Sequence, residues 1–211
     1  MRKILIFMAA GLIATQACKK SSSSSSSDSI GGDGNLAANA VGYSYGCYSD
    51  IAGLTATEVK VMSNDNGLVT LSIKGKLPAT ANTLTDLIPS AYKDASGNIN
   101  VTGTFKNTSE GILDYTNADR KPFVLVKYDA NVGDKYVLKK SDGQTITRTV
   151  TYKSTTDDYA WGFMYIKTIN VEQDSRIPGI SKIRYITNHK FGLVGIQFVM
   201  EDGTTSKLTI M

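Results

Sequence analysis

Histidine and cysteine, the side chains that most often carry catalysis, are scarce in this 211-residue chain. It has one histidine, His189, and two cysteines, Cys18 and Cys47. Ser-His-Asp or Cys-His catalysis would have to use His189, yet this residue lies in the stretch TNHKFG between two predicted strands, and no GxSxG nucleophile elbow is present. One histidine and one free cysteine also cannot supply the three or four ligands of a zinc site. We therefore predict no catalytic residue, no metal site and no cofactor.

Carboxylates keep one enzymatic alternative open. Glycoside hydrolysis needs two facing carboxyl groups about 5–10 Å apart, and the chain has 19 acidic residues from which to form such a pair. The stretch YDANVGD, with Asp129, Asn131 and Asp134, is similar to a calcium loop. It lacks the glycine at the sixth position and the glutamate at the twelfth that such loops use. We interpret it as a plain connection between strands.

The stretch DDYAWGFMY is the best candidate for a ligand-binding site. Asp158, Tyr159 and Trp161 lie together at the entrance of a predicted strand. Aromatic faces stack on the apolar faces of sugars, and carboxylates accept hydrogen bonds from sugar hydroxyls. Strand alternation also places Tyr159, Trp161, Phe163 and Tyr165 on one face, which is typical of residues that pack into a core. The sequence leaves both interpretations open.

The elements that position these residues follow a period of two. In TITRTVTY, Ile146, Arg148, Val150 and Tyr152 alternate with threonines, as expected of a strand with one buried face. Asn-Gly or Asp-Gly pairs in SNDNG, KSDGQ and MEDGTT indicate tight hairpin turns. The predicted strands are 57–63, 67–74, 98–106, 110–115, 122–128, 135–140, 144–153, 162–173, 181–188, 192–200 and 204–210.

These strands predict an all-β domain. Short connections between successive strands favour an antiparallel meander, which forms either a β-sandwich or a partly open β-barrel. Gly192 and Gly195 indicate a bend of the kind that a curved or closed sheet needs. Leu84, Leu87, Ile88 and Ala91 stand at helical spacing. We therefore expect one short helix near residues 84–92.

The first residues are typical of an export signal. Arg2 and Lys3 precede an uncharged, mostly apolar run over 4–14, which is too short to span a membrane and fits a signal peptide over 1–17. The break TQAC resembles the lipobox of bacterial lipoproteins, with Ala17 before Cys18 and Thr15 in place of the usual leucine. The resemblance implies that Cys18 receives diacylglycerol and becomes the mature N-terminus. Lys19, where inner-membrane lipoproteins commonly have aspartate, implies the outer membrane of the cell envelope.

Composition divides the rest of the chain into a tether and a domain. Residues 18–40 contain seven consecutive serines and several glycines, which predicts a disordered tether. Residues 41–211 have the size of a single β domain. Removal of residues 1–17 lowers the basic count from 23 to 21 against 19 acidic residues, and this near balance excludes an electrostatic case for nucleic acid. If Cys18 carries lipid, Cys47 has no partner within the chain.

The function expected from these features is non-catalytic binding at a membrane. We predict a lipid-anchored envelope protein whose ligand is a glycan, a lipid or another envelope protein, and which is not an enzyme. The alternatives are a carboxylate-based polysaccharide hydrolase, and a lipid carrier or assembly factor with an apolar cavity in a half-open barrel. The segments GFMYIKTI and NHKFGLVGIQF resemble uncharacterised secreted bacterial lipoproteins, a resemblance that implies no activity.

Overall fold

The computed structural model describes residues 29–51, 54–77 and 92–211, and these residues are nearly all β. The predicted signal peptide, Cys18 and all but the last residue of the predicted helix near 84–92 lie outside them. One 3-10 turn, Ala37–Asn39, precedes the strands. The strands are β1 Ser44–Ser49, β2 Thr55–Asp65, β3 Leu68–Lys76, β4 Asn98–Thr108, β5 Gly111–Asp114, β6 Phe123–Lys127, β7 Lys135–Lys139, β8 Thr145–Lys153, β9 Tyr159–Trp161, β10 Met164–Ile166, β11 Ile169–Asp174, β12 Ile180–Asn188, β13 Gly192–Met200 and β14 Thr205–Ile210.

Twelve of these strands form one antiparallel sheet in the order β6-β5-β4-β3-β2-β1-β14-β13-β12-β11-β8-β7. The predicted all-β antiparallel fold is confirmed, and of its two forms the structure adopts the barrel-like one, because the sheet is nearly closed. Strands β1 and β9 were not among the predicted strands. The predicted strand 162–173 is divided into β10 and β11, and β9 with β10 forms a separate two-stranded hairpin.

Strand β1 joins the two halves of the sheet. It pairs with β2 on one side and with β14 on the other, where Cys47 lies opposite Ile210. Beyond this ladder, the N–H of Gly46 donates to the carbonyl of Met211 at 2.7 Å, and the N–H of Met211 donates back to Gly46 at 2.7 Å. The first and last strands of the sheet are therefore hydrogen-bonded neighbours.

The two edge strands, β6 and β7, meet through side chains instead of a ladder. The backbone N–H of Lys127 donates to the hydroxyl of Tyr136 at 3.2 Å. The ammonium of Lys121 donates to the carbonyl of Lys139 at 3.3 Å. Such bonds satisfy backbone groups that an edge strand would otherwise leave unpaired.

The bend predicted at Gly192 and Gly195 is present. The β12–β13 pairing shifts between Ile186, which faces Gly195, and Thr187, which faces Leu193. One residue of β13, Val194, is therefore extra and forms a bulge, and bulges increase the local twist of a strand. Gly192 itself has a positive φ of 74° at the start of β13.

The interior of the barrel is filled with side chains, and at its centre lies an ion pair. Arg148 of β8 and Asp114 at the end of β5 both have fully buried side chains, and the guanidinium donates to Asp114 Oδ2 at 2.6 Å. Asp114 Oδ1 accepts bonds from the backbone N–H of Thr116 at 2.7 Å and from its hydroxyl at 2.6 Å. The buried apolar core of the domain includes Val61, Val69, Phe105, Ile146, Val150, Val171 and Tyr185.

The remaining donors of Arg148 reach both halves of the sheet. Nε donates to Gln173 of β11 at 3.0 Å, and Nη1 donates to the carbonyl of Val124 in β6 at 3.3 Å. The guanidinium carbon lies 4.0 Å from the ring centroid of Phe123 and 5.0 Å from that of Tyr185. A guanidinium between two aromatic rings is a favourable cation–π arrangement in a dry interior. Arg148 thus links strands that the ladder leaves apart.

Residues 29–40, which the sequence places in the tether, lie against one end of the barrel as a strap. Ile30 is buried in the core cluster. The N–H of Gly31 donates to Glu110 at 3.1 Å, and Asp33 exchanges bonds with Ser109 in the turn between β4 and β5. The domain therefore begins upstream of the predicted residue 41. Composition favoured a coil here, but specific partners in the folded sheet hold the segment.

Asn39 and Gly34 hold the strap in place. The buried amide of Asn39 donates to the carbonyls of Gly34 at 2.8 Å and Asn107 at 2.9 Å, and accepts from the Asn107 amide at 2.9 Å. Gly34 crosses the turn between β2 and β3 so closely that a Cβ there would lie 2.4 Å from the backbone of Asn66. Only glycine permits this approach.

We predict that Arg148→Met destabilises the domain by about 3–5 kcal/mol, because it leaves the carboxyl group of Asp114 in the interior without its cationic partner. The double variant Arg148→Met/Asp114→Asn should recover part of this loss, because no buried charge remains. Chemical denaturation measures both. Lys182→Met, at the exposed ion pair with Glu172, is the control and should change little. If the double variant loses as much stability as Arg148→Met and Asp114→Asn lose together, the role given to the pair is contradicted.

Gly34→Ala should displace the strap, because the backbone it meets at 2.4 Å cannot move aside without breaking the β2–β3 turn. We expect a loss of about 1–3 kcal/mol and faster proteolytic cleavage within residues 29–40. Gly46→Ala is the matched control, since its added methyl would meet nothing closer than 3.7 Å. Equal cleavage rates in the two variants would show that the strap does not depend on this contact.

Candidate functional site

The β9–β10 hairpin carries the residues predicted to bind a ligand, and it lies on the outer wall of the barrel. Its inner face packs against Ile186 of β12 and Val194 of β13. This small second cluster is separate from the barrel interior and also includes Ile166, Tyr159, Trp161 and Phe191. The hairpin is therefore an addition to the barrel wall, placed between β8 and β11 in sequence.

Trp161 is turned towards the barrel. Its indole N–H donates to the carbonyl of Ile210 in β14 at 2.7 Å. Its ring lies 4.5 Å from the ring of Phe191, centroid to centroid, in a tilted contact. The indole N–H and one face of the ring thus attach the hairpin to the barrel. Little of Trp161 is left for stacking on a sugar.

Tyr159 also faces the wall. Its ring contacts the ammonium of Lys207, which lies 4.4 Å from the ring centroid. Its hydroxyl is buried without a hydrogen-bond partner among the described residues, and it approaches Gly195, where a Cβ would lie 3.4 Å away. Tyr159 therefore serves mainly as packing between the hairpin and β13–β14.

Asp158 is exposed at the base of the hairpin. It accepts hydrogen bonds from the hydroxyl of Tyr152 and from the hydroxyl of Ser154 at 2.7 Å. The bonds from Tyr152 and Ser154 hold the pKa of Asp158 below its ordinary value. Asp158 is therefore an anion that fixes the β8–β9 connection, whereas the indole N–H of Trp161 is bonded to the barrel wall.

The tip of the hairpin is the feature that sequence reasoning missed. Gly162 and Phe163 form a two-residue turn, since Met164 pairs with Trp161, and this turn interrupts the alternation that placed Phe163 and Tyr165 beside Trp161. Phe163 is exposed to the full extent of its side chain, at 110%, with Tyr165 at 66% and Met164 at 50%. Gly162 is the residue in the sequence that could have indicated the turn, and it adopts a positive φ of 57° there.

The pKa shifts found among the described carboxyl groups all have the same direction. Every described carboxyl group whose pKa departs from its ordinary value has a lowered pKa: Asp94, Asp119, Asp142, Asp158, Glu172 and Asp202. For Glu172, burial acts to raise the pKa, and the bonds from Arg184 and Lys182 outweigh it. A glycosidase general acid requires a raised pKa.

The loop that is similar to a calcium site is held internally. The ammonium of Lys153 donates to the carbonyls of Tyr128 at 3.3 Å and Ala130 at 2.7 Å, and Asp134 accepts from the N–H of Asn131 at 2.9 Å. The ammonium group of Lys153 therefore binds carbonyl oxygens that a calcium ion would otherwise coordinate. Among the described residues, no three His, Cys, Asp or Glu side chains are grouped as a metal site would require.

The two side chains that could have supplied nucleophilic catalysis are His189 and Cys47. His189 is exposed in the turn between β12 and β13. Cys47 of β1 is half-buried, and burial raises the pKa of its thiol to about 11. A thiol with such a pKa stays protonated at neutral pH, whereas a nucleophilic cysteine requires a lowered pKa.

Comparisons with known proteins do not place this chain in a family. No protein-family model matches the chain, no curated protein sequence matches it significantly, and no solved structure matches its fold significantly. Within residues 29–51, 54–77 and 92–211, no helix has the length and apolarity needed to cross a bilayer. Function is therefore inferred from the side chains themselves.

The thiol of Cys47 should react slowly with iodoacetamide. With a pKa of about 11, roughly one thiol in a thousand is ionised at pH 8, and the rate should rise about tenfold per pH unit towards pH 11. The Cys18→Ser chain leaves Cys47 as the only thiol to follow by mass spectrometry. The same chain in denaturant is the control and should react about a hundredfold faster at pH 8. A folded-state rate that levels off near pH 9 would contradict the raised pKa.

Proposed function

We propose that this protein is a lipid-anchored protein of the cell envelope that binds an apolar partner without catalysing a reaction. The resemblance of TQAC to a lipobox supports an anchor at Cys18. Lys19 supports placement at the outer membrane. Of the partners expected from the sequence, a lipid or an envelope protein fits the hairpin better than a glycan does.

The exposed tip of the β9–β10 hairpin carries this proposal. Phe163, Met164 and Tyr165 are consecutive and each at least half exposed, although large apolar side chains are usually buried. Contiguous exposed apolar residues typically indicate an interaction site. A glycan site would instead present the indole and phenol faces of Trp161 and Tyr159, which here contact the barrel wall.

The two alternative functions have less support. A hydrolase would use a carboxyl group with a raised pKa, whereas the shifted carboxyl groups of the described residues all have lowered values. A carrier would keep an apolar cavity, whereas the barrel interior holds packed aliphatic side chains and the Arg148–Asp114 ion pair. A buried ion pair is an unfavourable neighbour for an acyl chain.

The anchor is tested by metabolic labelling. We expect the full chain, expressed in a Gram-negative host with labelled fatty acid, to incorporate the label and to start at Cys18 by mass spectrometry. The Cys18→Ala chain should stay unlabelled and unprocessed. Label that persists in Cys18→Ala, or processing at another residue, would contradict the proposed anchor.

Binding is tested with the lipid-anchored protein against envelope lipids, glycans and crosslinked envelope proteins. Phe163→Ser/Met164→Ser should weaken binding to the apolar partner, because it removes the exposed tip. Val137→Ser, which alters an exposed apolar residue on the wall strand β7, is the matched control. Turnover of a polysaccharide that is lost when one carboxylate becomes its amide would instead establish the hydrolase.

A further inference from the structure

The two ends of the barrel differ in a way that extends the proposed function. We define the strap end as the end where residues 29–40 cross the β2–β3 and β4–β5 turns. The β6–β7 connection reaches the same end, since the N–H of Tyr128 donates to the carbonyl of Glu110 at 3.0 Å. The β12–β13 turn also lies at this end, because Gly192 is close to Asn107. A Cβ on Gly192 would lie 3.6 Å from the side-chain amide of Asn107.

The hairpin tip points to the strap end. Gly162 at the turn approaches Met211, whose sulfur would lie 3.2 Å from a Cβ there. Met211 follows β14 and pairs with Gly46 near the start of β1. Phe191 of the β12–β13 turn contacts Trp161 next to the tip. Phe163 and Met164 therefore lie beside the loops of the strap end and not midway along the wall.

Most exposed large apolar residues of the described chain gather at this end. Met62 is the extra residue of a bulge just before the β2–β3 turn, and Leu68 follows that turn. Val132 lies in the β6–β7 connection, and the exposed residues Val41 and Tyr43 precede β1. Seven of the eleven exposed large apolar side chains thus flank the strap end: Val41, Tyr43, Met62, Leu68, Val132, Phe163 and Met164.

The opposite end of the barrel is polar in its described loops. Asp119, before β6, accepts a bond from the N–H of Ser141 in the β7–β8 turn at 2.6 Å. Lys140 and Asp142 form an ion pair at 2.7 Å in that same turn. Arg176 donates to the carbonyl of Thr145 at 2.9 Å. None of the exposed large apolar residues lies in these loops.

The chain that leads to the anchor leaves from the strap end. Ser29 precedes the buried Ile30, which is held beside the β4–β5 turn. Ten residues, 19–28, separate Ser29 from Cys18. A serine-rich segment of that length spans about 16–19 Å on average. Because residues 29–40 are held by the barrel, the spacer is shorter than the sequence indicated, and the strap end lies nearest to the anchored terminus.

We propose that the strap end rests on the bilayer that holds the lipid anchor, with Phe163 and Met164 of the hairpin tip entering the lipid interface. This inference rests on the proposed function, since it takes Cys18 as the anchor and names lipid as the apolar partner. The polar end then faces away from the membrane. The occupant is the membrane surface itself and not a separate protein.

Apolar contact and not charge drives this docking. Aromatic and methionine side chains enter the boundary between headgroups and acyl chains favourably. The charged residues around the strap end carry both signs, among them Asp33, Asp65, Glu110, Lys106, Lys167 and Lys190. Because positive and negative charges are mixed at this end, electrostatic attraction contributes little to the contact, and added salt has little to screen. The contact should therefore form on neutral lipid and persist from about 0.1 M to about 1 M salt.

Trp161 is a built-in reporter of this contact, because it is the only tryptophan in the chain and lies two residues from Phe163. The full lipid-anchored protein is reconstituted in phosphatidylcholine vesicles that contain lipid brominated near the headgroup end of the acyl chains. Bromine quenches indole fluorescence at short range. We expect the emission of Trp161 to be quenched, equally at low and high salt.

Variants connect the quenching to the tip. Phe163→Ser/Met164→Ser should lose about half or more of the quenching, because the apolar insertion is removed. Phe163→Ser alone, which alters a fully exposed side chain, provides a second variant should the double one unfold. Val137→Ser on the wall should quench as the unaltered protein does. Circular dichroism checks that each variant is folded.

Two readouts separate this inference from the proposed function. Mass spectrometry of the reconstituted sample reports whether Cys18 carries lipid, independently of fluorescence. Lipidated protein whose Trp161 is not quenched, or whose tip variants quench like Val137→Ser, would overturn the docking and leave the anchor intact. A chain that is not lipidated at Cys18 would overturn the proposed function itself.

Discussion

The buried ion pair between Arg148 and Asp114 is the interaction on which the closure of the barrel depends. The hydrogen-bonded ladder joins the two halves of the sheet on one side only, through β1 and β14. On the other side, Arg148 of β8 reaches Asp114 of β5 and the β6 carbonyl of Val124. A charge this deep is costly unless nearly all of its donors are bonded. The positions of β5, β6, β8 and β11 relative to one another are therefore set by one guanidinium group.

Much of this fold can be predicted from the sequence, because local residue patterns determine the strands and the turns. Alternation between Ile146 and Val150 placed Arg148 on an inward face, and Asn-Gly and Asp-Gly pairs located the turns correctly. The partner of Arg148 could not be predicted, since Asp114 lies 34 residues away in the chain and only the closed sheet brings it near. Strands β1 and β9 escaped prediction because glycine in one and shortness in the other weaken the two-residue period. The strap escaped it because its stability comes from Asn107, Ser109 and Glu110, which are distant in sequence.

The sequence left two orientations open for the aromatic residues of this segment, and in the structure Tyr159 and Trp161 pack inwards. Asp158, Tyr159 and Trp161 do belong to one hairpin, yet Trp161 and Tyr159 attach it to the wall while Asp158 holds its base. The exposed group is the turn that follows, centred on Phe163. A two-residue turn reverses the face of every residue beyond it, so a strand of alternating aromatics became an attached inner face and a free outer tip. The contacts of Trp161 and Tyr159 fix where the hairpin attaches, and a pre-positioned group loses less entropy when it binds.

The pairing of β1 with β14 also constrains how the domain forms. The central ladder of the sheet, Cys47 opposite Ile210, joins residues from the two ends of the described chain. Contacts of such long sequence separation form slowly, because the entropy of closing the chain is lost before the ladder is gained. A nascent chain that lacks its last strand would leave an open edge at β1 and another at β13. The domain can therefore complete its sheet only after β14 is available, so this strand, which lies late in the described chain, determines when the barrel closes.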